Sequence, residues 1–513
     1  MVEAINLKQV SERKFIGIDQ PELEWAKEWL KSTKKSYVNG KWIETSSSSI
    51  FESINPANGE KIGDFYGAGK EEVDKAVEAA RFAFNQGPWS NMTRKNRAKI
   101  MHEISSLISK HQAELATLET LDNGKLYTES YNDDVQEASD IFSYYAGWTD
   151  KYYGENNPVE GDFLSITTRD PIGVCGQIVP FNYPIDMAAW KLAPALAMGN
   201  TVILKPADKT SFSAIRLFEI IDEAKILPPG VINLVLGDGK TGSYISRHME
   251  IDKVTFTGST QIGRQLVHDS ADSNLKPVSL ELGGKSANIL FDDAPNLEEA
   301  IDRSFYGLFT HKGEKCSAPT RLFVHHSIYD KTVNRLGELA DSYKLGDPFN
   351  PETDQGAQVS KEHMERILNY IESGKQQGAR VVAGGKRDTD GDNINGYFVR
   401  PTIFAEVTNS MKIAQEEIFG PVLCVIPFDT EEEVIKMANE SIYGLGAGLW
   451  TKDVSRANRV AKKLEAGMVF VNKYGCYDFA SPFGGWKQSG WGKEFAVHSL
   501  QSYTKQKAIW FAY

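Results

Sequence analysis

The sequence predicts an α/β protein built from two doubly wound, Rossmann-like lobes. Its 513 residues, at roughly 150 per domain, suggest about three domains. From about residue 173, short apolar strands alternate with helical stretches four times, the pattern of a parallel sheet covered on both faces. A second strand–helix series starts after SLELGG and runs almost to the C-terminus.

The elements follow in order. The first 35 residues (1–35) are polar and read as an N-terminal extension, with an amphipathic helix through Leu23, Trp25, Ala26 and Leu30. SYVNGKWIE (36–44) predicts a hairpin turning at Asn39-Gly40. Helical patterns cover 71–86, 95–120 and 133–150. The first lobe then pairs GVCGQIVP with AAWKLAPALAMG, TVILKP with SAIRLFEIIDEAKI, VINLVLG with a short helix near 242–249, and KVTFTGS with QIGRQLVHDSA. The second contains RLFVHH, a helix near 328–343, VVAGG, VLCVIPFD, a helix at 430–440, GAGLWT, a helix at 453–466 and MVFVN. No repeat, low-complexity tract or long linker separates the lobes. The final SYTKQKAIWFAY is strand-like and aromatic, an edge expected to be covered by another subunit.

Composition excludes several classes. With 41% hydrophobic and 25% charged residues the chain is neither disordered nor collagen-like. A net charge of −12 gives no basic footprint for nucleic acid or an anionic membrane. Apolar runs are broken well short of a membrane span. The N-terminus lacks the features of a secretory or transit peptide, so cytoplasm is the expected location. The four cysteines, Cys175, Cys316, Cys424 and Cys476, form no CxxC pair; neither a disulfide framework nor a metal site is expected, and a reducing compartment fits.

Three segments could hold a phosphate. GDGKTG (237–242) fits GxGxxG after a strand but lacks the acidic strand end about 20 residues on, so a chance match stands beside a true fingerprint. GGKS (283–286) fails as a P-loop because Ser279 stands where its first Gly belongs. FTGSTQIG (256–263) places Gly258, Ser259 and Thr260 at a strand-to-helix turn, where N–H groups can meet a phosphate; a plain tight turn is the alternative. GEKCSAPTR (313–321) sets Cys316 among small residues beside Lys315, which suits a reactive thiolate, although inert packing is the commoner use of a cysteine. SLELGGKSAN (279–288) ends an apolar strand on Glu281, where a sheet opens into a crevice. A general base and a structural ion pair are both open uses of that carboxylate.

Seven motifs occur in order: IVPFNYP (178–184), LKPAD (204–208), FTGST (256–260), LELGGK (280–285), GEKCSAPTR, EEIFGPV (416–422) and PFGGWKQSG (482–490). Together they resemble the aldehyde dehydrogenase superfamily, of the non-acylating, NAD(P)-dependent type, from about residue 36 to the end. The resemblance implies a coenzyme-binding domain (36–150 and 172–283), a catalytic domain (284–483) and a small β oligomerisation domain (151–171 and 497–513), hence a homo-oligomer, dimer or tetramer. It implies that Cys316 is the nucleophile forming a thiohemiacetal and then a thioester, that Asn182 and the Cys316 N–H hold the oxyanion, and that Glu281 activates the hydrolytic water. For the coenzyme, NAD with NADP as the alternative, it places Lys205 and Asp208 at the adenosine ribose, Ser259 and Gly258 at the pyrophosphate, Glu417 at the nicotinamide ribose and Phe419 at the nicotinamide. Ile178, Val179, Pro180, Phe181, Gly237, Gly263 and Leu282 would line the same site, with GDGKTG as a flanking loop on the adenine side. Tyr183, Asp186, Met187, Trp190, Lys315, Ser317, Tyr474 and Tyr477 match the tunnel that admits a small-molecule aldehyde.

Departures from the family pattern carry information. Phe181 stands where many relatives have Trp, which removes an indole N–H. Asp208 stands where Glu is common, and Glu314 where Gln is usual. The tunnel mixes aromatics with Asp and Lys, so a purely aliphatic substrate is not implied. A CoA-acylating relative commonly lacks the carboxylate at Glu281, and a retired structural homologue would not need Cys316, Glu281, Asn182, Lys205 and Glu417 together.

Overall fold

A computed structural model of the protein describes residues 18–45 and 49–513. The first 17 residues of the expected extension lie outside the described residues. The helix expected there is present as α1, Leu23–Trp29. The hairpin follows as β1 (Ser36–Val38) and β2 (Lys41–Ile43), with φ of 53° at Asn39 and 75° at Gly40, the double left-handed turn that Asn-Gly favours. Next come α2 (Lys70–Asn85), α3 (Arg94–Lys110), α4 (Gln112–Asn123) and α5 (Gln136–Ala146). The single helix read over 95–120 is thus two. His111 leaves helical geometry (φ −107°, ψ 24°) and its ring pairs with Glu114, restarting the chain as α4. The pattern at 133–150 shortens to α5, because Ser130–Val135 forms a π-helical turn before it.

The first lobe is an eight-stranded sheet. After β3 (Val174–Ile178), α6 (Pro184–Ala197), β4 (Thr201–Lys205), α7 (Phe212–Ala224), β5 (Ile232–Leu234), α8 (Gly239–Arg247), β6 (Lys253–Thr257), α9 (Thr260–Ala271) and β7 (Val278–Glu281), the order is β2-β1-β5-β4-β3-β6-β7, closed by Gly490–Trp491. β3 to β7 are parallel, so the order reverses between β3 and β6, and a crevice opens at their C-terminal ends. β3, β4 and β6 are buried on both faces, which is why they read as unbroken apolar runs.

The second lobe is a seven-stranded sheet. Its strands are β8 (Ala287–Leu290), β9 (Arg321–His325), β10 (Arg380–Ala383), β11 (Thr402–Ala405), β12 (Val422–Phe428), β13 (Gly446–Trp450) and β14 (Met468–Val471), ordered β10-β11-β12-β9-β8-β13-β14 with only β10 antiparallel. Helix α10 (Leu297–Phe309) covers one face. A third, small sheet pairs Phe163–Pro171 with Thr504–Ala512 over nine residues, adding Asn156–Asn157 at one edge.

Candidate active site

The crevice lies where the C-terminal edge of the first sheet meets the N-terminal edge of the second. The segments leaving β3 and β7 face those entering β9 and β12. Asn182 Nδ2 donates to Glu314 O (2.9 Å), Gly284 N–H donates to Glu417 Oε1 (2.8 Å), and the Phe181 and Phe419 rings stand edge to face at 5.6 Å. The first lobe offers strand C-termini, as an open α/β sheet normally does; the second contributes loops ahead of its strands.

Cys316 is partly buried, five residues before β9. Burial pushes its thiol up to about 12, the nearby Glu281 and Glu417 carboxyls adding to the rise and the Ser317 N–H and Lys315 opposing it. Its position is fixed on both sides. A Cβ at Gly284 would lie 2.3 Å from Cys316 O, while Tyr474 Oη donates to Ser317 O (2.7 Å) and Tyr477 Oη meets Ser317 Oγ (2.7 Å). Asn182 is buried; one amide N–H is spent on Glu314 O, two residues before the thiol, leaving the second for a ligand. Glu281 ends β7 beside Thr257 of β6, and its carbonyl takes the Gly258 N–H (3.0 Å). Its Oε2 is buried with no hydrogen-bond partner among the described residues, and burial, followed by the charge of Glu494, drives its pKa well above the ordinary carboxyl range. A carboxyl with a raised pKa gives up its proton reluctantly and, once ionised, takes one back readily.

The residues expected to hold the dinucleotide lie at the switch point. Ile178 and Lys205 are register neighbours at the ends of β3 and β4, and a Cβ at Gly242 would be 3.7 Å from each side chain. Lys205 is buried, its Nζ bonded among the described residues only to Pro206 O (2.8 Å); burial lowers it to about 8 against the pull of Asp208 and Asp238. Ser259 caps α9, accepting from Ile262 N–H (3.3 Å), which leaves its own O–H free to donate. Gly263 lets α9 approach β7: a Cβ there would sit 2.6 Å from Leu282. The GDGKTG loop is closed by its own acid, Asp238 accepting from the Lys240 and Thr241 N–H groups, and Gly237 takes φ +149°. Those N–H groups are therefore already engaged by Asp238. Glu417 is raised to about 7, chiefly by burial, and a Cβ at Gly283 would fall 2.3 Å from its Oε2. Phe419 is held at φ 61° by His363 on its carbonyl (2.7 Å), while Arg366 grips the carbonyls of Ile418 and Glu417.

Several of the residues expected to line a tunnel pack on one another or on buried neighbours. Trp190 packs on Phe495 (4.1 Å) and Phe483 (5.1 Å), Asp186 Oδ1 accepts the Trp190 indole N–H (2.8 Å), and Tyr183 lies 4.6 Å from the His311 ring. Met187 is buried in the core cluster that also contains Trp190. Lys315, expected to face the tunnel, has its Nζ tied to Gly307 O (3.3 Å) and Thr310 Oγ1 (3.4 Å) at the C-terminal end of α10.

Several contributors have weak sequence signals. The ETLDNGK segment (119–125) underlies the site: Glu119 takes the Ile185 N–H (3.0 Å), Asn123 holds Phe181 O (2.7 Å), and buried Lys125 pairs with Glu119 and Asp134. No cluster of three or more metal-ligating side chains occurs among the described residues.

Comparison with known proteins agrees with this architecture. The signature of the aldehyde dehydrogenase family matches residues 42–509. The chain is 46% identical over 475 residues to mitochondrial aldehyde dehydrogenase of Homo sapiens, covering 92% of this chain and 91% of that protein. It is 46% identical to aldehyde dehydrogenase 1A1 of Gallus gallus, covering 93% and 92%. An NAD+ complex structure of an aldehyde dehydrogenase from Bacillus cereus superposes with a TM-score of 0.93 at 45% identity, covering 96% of this chain and 99% of that one. The chain belongs to the aldehyde dehydrogenase family.

Proposed function

We propose that the protein oxidises an aldehyde to a carboxylic acid with NAD, through a covalent step on Cys316. The observation that carries this reading is the convergence of a positioned thiol, a half-used amide donor and an unpartnered buried carboxyl in one crevice. The dinucleotide fits the switch point: buried Lys205 with a single carbonyl partner, the free Ser259 hydroxyl and the Glu417 carboxylate are the groups that would hold it. NAD, when bound, supplies the acceptor for the hydride leaving the substrate carbon.

The chain's own residues do the rest. Cys316 loses its proton and its sulfur attacks the aldehyde carbon. The carbonyl oxygen becomes negative and takes the second Asn182 amide N–H and the Cys316 N–H. One such donor is worth about 3–4 kcal/mol of barrier. Once the carbon is oxidised, a thioester remains on Cys316. Glu281 takes a proton from water, which attacks that thioester and releases the acid and the thiol. Asp208 near the ribose repels a 2′-phosphate, which favours NAD over NADP. We assign coenzyme binding to the first lobe, catalysis to the second and oligomerisation to the third sheet. That sheet exposes Phe163, Trp510, Phe511 and Tyr513, which supports a homodimer or homotetramer. The four free cysteines fit a reducing compartment such as the cytoplasm.

Cys316→Ala is expected to abolish NADH formation from any aldehyde while NAD still binds, measured by absorbance and by calorimetry. Turnover in that variant comparable with the wild type would overturn the assignment.

A further inference from the structure

We propose that Lys312 is a positioning residue for the reaction: its buried ammonium group aims the Asn182 amide at the carbonyl oxygen of the aldehyde held by Cys316. The inference rests on the Cys316 and Asn182 roles proposed above. Lys312 is 2% exposed and stands in the loop between α10 and Cys316. Its Nζ donates to Asn123 O (2.6 Å) and Asn123 Oδ1 (2.8 Å) and forms an ion pair with Glu314 Oε2 (3.0 Å). Asn123, the last residue of α4, donates from Nδ2 to Phe181 O (2.7 Å), on the residue before Asn182. Asn182 Nδ2 in turn donates to Glu314 O (2.9 Å). These contacts close a ring that leaves Lys312 through Asn123 and Phe181, passes Asn182 and returns through Glu314. Lys312 thus holds Asn182 from two sides, through the peptide carbonyl that precedes it and through the residue that accepts from its side chain. The three N–H donors of the ammonium are all engaged within the ring, so Lys312 acts through Asn182 and not on the substrate.

The side-chain amide is planar, so fixing one N–H fixes the direction of the other, the one left for the oxyanion. The loop that carries Glu314 needs such a clamp. His311, Lys312 and Gly313 take φ of 50°, 61° and 73°, three successive left-handed residues of which two bear side chains. Backbone of this kind persists only where its surroundings over-determine it. Further ties come from the His311 N–H on Glu129 Oε1 (3.0 Å), the Val359 N–H on Glu314 Oε1 (3.0 Å) and a close approach at Gly313, where a Cβ would lie 2.4 Å from the Gly420 carbonyl carbon. None of these reaches Asn123 or Phe181; only the ammonium joins the loop to the segment behind Asn182. Without it the buried Glu314 carboxylate would keep, among the described residues, only His363 Nε2 (3.6 Å) as a counter-ion, and both Asn123 oxygens would lose a donor. The loop would relax, and the Glu314 carbonyl would carry the Asn182 amide with it. Such a shift weakens an interaction made where charge develops on the substrate oxygen, so it slows the chemical step and leaves binding of coenzyme nearly unchanged. Glu314 stands where the family pattern usually has Gln, so the Lys312–Glu314 ion pair is not part of that pattern.

The test is a double-mutant cycle between Lys312 and Asn182, read as the rate constant of NADH formation in the first turnover, with butanal or benzaldehyde, whichever the wild type oxidises faster. Asn182→Ala is expected to lower that constant about 100-fold or more. Lys312→Met should lower it about tenfold or more, while the Kd of NAD changes less than threefold. In the Asn182→Ala background Lys312→Met should cost less than a further threefold, because no amide remains to be aimed. Asn123→Ala cuts the ring at another link and removes no charge, so it should fold even where Lys312→Met does not, and it should show the same pattern. A loss below threefold in Lys312→Met, or in Asn123→Ala if Lys312→Met does not fold, would overturn the positioning role. So would a loss that multiplies with that of Asn182→Ala, which is what a general structural defect produces. An undiminished rate in Asn182→Ala, or no oxidation of either aldehyde by the wild type, would instead count against the oxyanion donor or the reaction proposed above.

Discussion

Cys316 rests as a thiol, because burial and two neighbouring carboxyls hold its pKa up to about 12. The sign follows directly. Below that value each unit of pH raises the thiolate fraction about tenfold, and the thiolate is the species that reacts. Alkylation of Cys316 by iodoacetamide in the coenzyme-free protein, followed by peptide mass mapping, should therefore rise about tenfold per pH unit from 7 to 9 without levelling. A plateau below pH 8 would mean that a cationic group lowers the thiol. The identity of this residue was legible in the sequence, since GEKCSAPTR matches a family motif. Its protonation was not, because the desolvating neighbours come from β7 and from the loop before β12, distant in sequence.

Among the elements, the Gly283–Gly284 turn after β7 locks the two lobes together. A Cβ at 284 would press to 2.3 Å of the Cys316 carbonyl, a backbone atom that cannot swing aside. Gly284→Ala should displace the thiol while the sheets stay folded. We expect kcat/KM to fall about 100-fold or more, the usual effect of a misplacement near 1 Å, with little change in melting temperature. A loss below threefold would show that the loop's position does not govern the rate. The strands β3, β4 and β6 could be read directly because two-sided burial makes them continuous apolar runs. The break at His111 could not. Both flanking segments carry helical periodicity, and only local pairing with Glu114 and Gln112 bonding to Tyr131 O set the kink.

At the scale of the whole molecule, the third sheet joins residues over 300 positions apart and leaves Trp510 and Tyr513 57% and 84% exposed. An apolar edge of this kind invites a second copy of the chain. Removal of residues 504–513 should convert a dimer or tetramer into smaller species or aggregates, read by size-exclusion chromatography with light scattering; a monomeric intact chain would contradict the assignment. The sequence suggested this partner surface through the aromatic C-terminus, but the strand it pairs with, Phe163–Pro171, has a mixed burial pattern that no periodicity marks. The central claim joins all three scales: a crevice between two lobes in which Cys316 is acylated and Glu281 directs water to release the acid. The most direct measurement is intact-protein and peptide mass spectrometry of Glu281→Gln after mixing with NAD and an aldehyde it oxidises. The account predicts one equivalent of NADH formed rapidly, slow turnover thereafter, and an added acyl mass on the peptide containing Cys316. Wild-type steady-state turnover, or an acyl mass found only on another cysteine, would contradict it.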